Sequence, residues 1–204
     1  MNSTLESTGA ALQQYADECG MYCDKAKQIL QEQQDPSPIA AMAREVIRYG
    51  RHLAQFEHTL NAAYSATSRM AECLYEHPRL LLELLNVELE VLEYAEAVQQ
   101  HEMQITEDLR DEIRQLERNI QAADEGRWSD IKTGSMLKSD PVEWTKAYEE
   151  VIDEAEHEAY SHLTDYPRGM GFCFAYWAEK RKALAKHGIE WRSPNLLNPG
   201  VMFD

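Results

Sequence analysis

An alternating three- and four-residue apolar spacing held for five repeats dominates the chain between Ser37 and Glu76. Ile39, Val46, Leu53, Leu60, Thr67 and Leu74 recur every seventh position, and Met42, Tyr49, Phe56, Ala63 and Met70 follow three places after; ten of these eleven are apolar. A helix needs that pattern to keep one face on partner helices. The stretch therefore reads as one long amphipathic helix that organises the rest, and at about 1.5 Å per residue it would span roughly 60 Å.

The flanking sequence repeats the theme. Residues 4 to 34 carry Leu5, Leu12, Cys19 and Ala26 at seven-residue intervals, and Asp35-Pro36-Ser37-Pro38 ends that helix because the residue before a proline is pushed out of helical geometry. Ser37 and Pro38 are suited to the cap and first position of the next helix. His77-Pro78 marks another break, read as a chain reversal with Pro78 opening a third helix to about Asp124. Its first half is apolar on several faces, from Leu80 to Leu92. A polar interruption at Gln99 to Glu102 precedes a narrower stripe of Ile105, Leu109, Ile113, Leu116, Ile120 and Ala123.

Residues 126–139 read as a linker. Asp140-Pro141-Val142-Glu143 is a strong start for a fourth helix running to about Leu163: an acidic cap, proline at the first position and a carboxylate three residues on. Tyr166 to Gly169 breaks it. A short fifth helix from about Met170 to His187 follows, and the tail from Ile189 is too apolar to be free, while Pro194 and Pro199 argue against helix there. The expected fold is all-α, an antiparallel bundle of four long helices with a short fifth and an extended C-terminal tail. Its expected organisation is a three-helix N-terminal bundle over 1–125 and a helical pair with docked tail over 140–204.

No apolar run approaches the twenty residues a membrane span requires, the densest, Leu80 to Leu85, being broken by Glu83. The opening MNSTLESTGA has neither the basic start nor the apolar core of a secretory signal, so the expected location is the cytoplasm. The net charge of -16 is unevenly spread. Residues 76–125 hold 14 acidic and 4 basic side chains and residues 140–165 hold 9 and 1, whereas residues 166–204 hold 3 and 6. An acidic surface repels a phosphate backbone, which argues against direct nucleic-acid binding and for a basic protein partner.

Few residues suggest chemistry. Glu154 and His157 form a Glu-x-x-His pair of the kind used in di-iron bundles, but that chemistry needs a second pair and none is present. A solvated face with contacts from Asp153 to His157 and from Glu158 to His162 is the plainer reading. Cys19 and Cys23, four apart, could supply two zinc ligands, yet all four cysteines occupy positions where the periodicity calls for a small hydrophobe. No cofactor motif is found. Phe172, Phe174, Tyr176 and Trp177, preceded by Gly169 and Gly171, form the densest aromatic cluster. With a positive rim nearby, this region gives Arg168, Phe172, Trp177, Lys180, Arg181 and Trp191 as candidate partner-binding residues.

The function expected from these features is a non-enzymatic helical adaptor, self-associating as a homo-oligomer, that presents an acidic surface to a protein partner. The alternatives are an acidic inhibitor that imitates nucleic acid on a DNA- or RNA-binding protein, and a metal-binding bundle enzyme using Glu154 and His157.

Overall fold

The computed structural model describes residues 2–203, with side chains from Gly9 onward, so Leu5 of the first stripe lies outside the described side chains. The protein is all-helical, and no strand occurs among the described residues. Among the described residues eight helices follow in order: α1 Asn2–Gln31, α2 Ile39–Leu53, α3 Leu60–Ala71, α4 Pro78–Gln99, α5 Gln104–Asp124, α6 Lys146–Ser161, α7 Phe172–Lys186 and the single turn α8 Pro194–Leu197. None is long and apolar enough to cross a membrane.

The chain divides into two compact units. The first comprises residues 1–28, 39–75 and 79–114; the second comprises 29–38, 76–78 and 115–204. In the first unit, the expected single rod over 37–76 is two helices. The chain breaks after Leu53, Phe56 turns extended (φ −131°, ψ 128°), and a 3-10 turn at Glu57–Thr59 leads into α3. The Thr59 hydroxyl meets the carbonyls of Leu53 and Phe56 that the break exposes. α2 and α3 then pack on each other, burying Ile39, Met42, Val46, Tyr49, Leu53, Leu60, Ala63 and Met70, the residues of the stripe. Gly50 sits against Val87, whose Cγ1 lies 3.3 Å from where a Cβ would stand, so a small residue is needed there.

The cysteines of this unit are packing residues. Cys19, Cys23 and Cys73 are buried, Cys23 donates from Sγ to the Ala66 carbonyl at 3.3 Å, and burial pushes the Cys23 thiol up to about 11. Thiols so disfavoured as thiolates make poor metal ligands and nucleophiles.

The third predicted helix is likewise two. Gln100 adopts φ 52°, and Glu96 accepts a hydrogen bond from the Met103 backbone at 2.7 Å, ending α4 and starting α5. On α5 the buried face runs through Thr106, Leu109, Ile113, Leu116, Asn119 and Ala123, while Ile105 faces out. Asn119 bonds both the N–H and the carbonyl of Lys132, laying part of residues 126–139 against the end of α5.

In the second unit Asp140 caps as expected, accepting from Val142 N–H, but the residues it starts are a 3-10 turn, Pro141–Trp144. Thr145 then caps α6 anew through Tyr148 N–H. The tail is not wholly extended either. Pro194 opens α8, where its missing N–H costs nothing.

Candidate functional site

The chemistry-bearing residues of the second unit concentrate around α7. Its inward face recurs every fourth residue as Phe172, Tyr176, Lys180 and Leu184, and packs on α6, with Tyr148, Ile152, Ala155, Ala183, Leu184 and Trp191 forming a closed core. Two glycines set this up. Gly169 at φ 112° and Gly171 at φ 81° hold left-handed geometry that turns the chain into α7.

Lys180 is 1% exposed. Its Nζ lies 2.7 Å from Glu76 Oε1 and 3.4 Å from Glu156 Oε1, and within 5.1 to 5.7 Å of the ring centres of Tyr148, Tyr176 and Trp191. Tyr148 donates its hydroxyl to Glu76, Tyr176 donates to Glu156 at 2.7 Å, and Trp191 donates its indole N–H to Glu143 at 2.6 Å. His77 Nε2 stands 3.2 Å from Asp153 Oδ1, while its buried Nδ1 has no hydrogen-bond partner.

The protonation pattern follows from burial and from the one ammonium. Burial opposes charge on Glu76, but Lys180 overrides it and holds that carboxyl below the usual range. Burial wins at Glu156, which is pushed up to about 7 despite Lys180. At Glu143, burial and the Glu76 carboxylate together also give about 7. Lys180 itself loses by burial and regains more from Glu76 and Glu156, so its pKa is raised. A lysine held protonated in this way is neither a nucleophile nor a Schiff-base former. With Tyr148, Glu156 and Lys180 essentially sealed from solvent, the cluster is an internal ion network.

The opposite side of α7 is open. Phe174 is 44% exposed and half-buried Trp177 lies against the core. The Phe174 and Trp177 rings meet edge to face at 5.6 Å, and Trp177 meets Phe203 of the tail at 5.1 Å. Val201 and Met202 are exposed beside Phe203 in the chain, Met202 at 91%. The tail is tied down just before, where Asn198 pairs with both the N–H and the carbonyl of Lys138.

The six residues expected to form one partner-binding surface are thereby separated. Phe172, Lys180 and Trp191 are interior, because the four-residue period of α7 and the core under the tail take them inward. Arg168 closes the turn before α7, donating to the Leu163 and Tyr166 carbonyls and lying 4.3 Å over the Phe172 ring. Arg181 is exposed, and Trp177 is half-buried against the core. The Glu-x-x-His pair is also outward: Glu154 is exposed and His157 meets Asp35 at 2.7 Å. The expected local contacts of Asp153 with His157 and of Glu158 with His162 give way to partners from elsewhere in the unit, His77 for Asp153, Lys186 for Glu158 and Glu179 for His162. Among the described residues no group of three or more His, Cys, Asp or Glu is arranged to hold a metal ion.

Sequence reasoning missed Glu76, Glu143 and Glu156 as parts of one network. A signal was present for Glu156, which stands four residues after Ile152 on the apolar face of α6. Comparison with protein families, with characterised proteins and with solved structures finds no match to this chain.

Proposed function

We propose that the protein is a non-enzymatic helical interaction protein that binds a protein partner through the aromatic outer face of α7 and the tail beside it, with an acidic exterior that favours a basic partner. The observation that carries this reading is the edge-to-face cluster of exposed Phe174 with half-buried Trp177 and Phe203, flanked by exposed Val201 and Met202. Aromatic groups left at a surface are the usual anchors of protein interfaces. The burial of Glu156 and Lys180 supports the same reading, since these two groups have no access to a substrate.

The test is recovery of a partner from the native host followed by reconstitution from the two purified proteins. The wild type is expected to form a complex of defined stoichiometry, and Phe174→Glu and Trp177→Ala are each expected to weaken it at least tenfold while helicity is unchanged. Equal binding by both variants would overturn the proposal.

A further inference from the structure

The first unit carries a feature that the acidic composition hides. Within α2, the residues that face away from the stripe include Arg44, Arg48, Arg51 and His52, with a single acid, Glu45. Arg44, Arg48 and Arg51 follow at four- and three-residue steps, which places them in one row on the helix surface. Together with Ile47, His52, Gln55 and Glu83 they line a groove of about 420 Å³.

The arginines are positioned, yet most of their hydrogen-bonding capacity is unspent. Arg48 is held from below by the Tyr49 ring, 4.1 Å from its guanidinium carbon, and from the side by Glu45, which its Nε reaches at 3.1 Å. Tyr49 is itself backed by Tyr15, stacked at 4.7 Å, and Tyr15 lies 5.5 Å from the His52 ring. Arg51 approaches Glu83 only to 4.0 Å, and Arg44 makes no ion pair among the described residues. Each guanidinium offers five N–H donors in a fixed fork. Three of them against Glu45, Glu83 and Glu18, the last bonded to Tyr49 and within electrostatic reach of Arg48, still leave a surplus of donors facing one groove, and an oxyanion with several acceptors on each centre satisfies it best. The row from Arg44 to Arg51 runs roughly 10 Å along the helix, which is longer than one phosphoryl group can bridge.

We infer that the α2 groove is a binding site for a ligand carrying at least two phosphoryl groups, held by Arg44, Arg48 and Arg51. This site belongs to the first unit, is built from other residues than the aromatic face of α7, and does not depend on the partner reading.

The experiment is calorimetric titration of the full chain with inorganic pyrophosphate and, separately, with ADP, in buffer of near-physiological salt. Saturable binding at one site per chain is expected for at least one of them. Comparable affinity for the two would assign the groove to the diphosphate alone, and tighter ADP binding would assign it to an organic diphosphate. The triple variant Arg44→Gln, Arg48→Gln, Arg51→Gln is expected to weaken binding at least tenfold, while Lys25→Gln with Lys27→Gln on exposed positions of α1 changes it less than twofold. Replacing the three arginines by lysine, which keeps the charge but loses the fork, is expected to weaken binding severalfold. Absence of saturable binding to either probe would overturn the inference, as would full retention in the glutamine triple variant or in the lysine one. Circular dichroism of each variant shows whether it is folded.

Discussion

Lys180 is the residue on which the second unit depends most. Removing one member of a buried ion cluster leaves the others charged without compensation, which typically costs about 3–5 kcal/mol. Lys180→Met is therefore expected to destabilise the protein by that order, read as a lowered urea midpoint. Adding Glu156→Gln should recover part of the loss, because one of the abandoned carboxyls goes with it; a double variant no more stable than the single would contradict this account. The interior position of Lys180 was legible in part. Phe172, Tyr176 and Leu184 mark a four-residue period that passes through Lys180, whereas the run Lys180-Arg181-Lys182 suggests a basic rim. Consecutive helical residues point about 100° apart, so a basic run never shares one face. The carboxylates that meet Lys180 were not legible, because Glu76 comes from a loop and Glu156 from another helix.

At the scale of the element, the informative comparison is between two breaks. Gln99 to Glu102 interrupts the apolar pattern, and the structure ends α4 there with Gln100 at positive φ. The break between α2 and α3 leaves the pattern intact, since Phe56 and Leu60 continue the spacing across it. What stabilises that corner is a side chain, the Thr59 hydroxyl on the Leu53 and Phe56 carbonyls. Thr59→Val keeps the shape and removes both bonds, so it is expected to cost about 1–2 kcal/mol. Chemical denaturation checks it, and a variant as stable as wild type would show that the corner does not need its hydroxyl. Gly50 supplies the matching test of close approach. Gly50→Leu would drive a branched side chain into Val87 and Thr67, with an expected cost of about 1–3 kcal/mol.

For the whole molecule, the titrating groups of the ion network set how stability varies with pH. Glu143 and Glu156 have folded pKa values raised to about 7, above those of exposed carboxyls, so their contribution is full at acid pH and is lost as pH rises through about 7. His77 acts in the same sense. Burial opposes its charge, but its hydrogen bond to Asp153 prevails and raises its pKa, so its contribution is also lost as pH rises. Glu76 works in the opposite sense: its pKa is lowered, so its contribution is present at neutral pH and fades as pH falls through the acid range. Stability is therefore expected to be highest at mildly acid pH and to fall between pH 5 and pH 8, with most of the fall before the carboxyls finish titrating near 7. At about 1.4 kcal/mol per pKa unit, the fall amounts to a few kcal/mol. Urea midpoints measured across that range check the direction; a midpoint that rises from pH 5 to pH 8 would contradict it. The sequence by itself determined the helical class, the buried stripe of α2 and α3 and the uneven charge, because each follows from local periodicity or composition. The tertiary structure alone decided where the long apolar stripe folds back, which ions meet around Lys180, and that three arginines of an acidic chain share one groove. Periodicity says which side of a helix turns inward, but the residue it meets there is chosen by chain reversals whose stabilising contacts lie far apart in sequence.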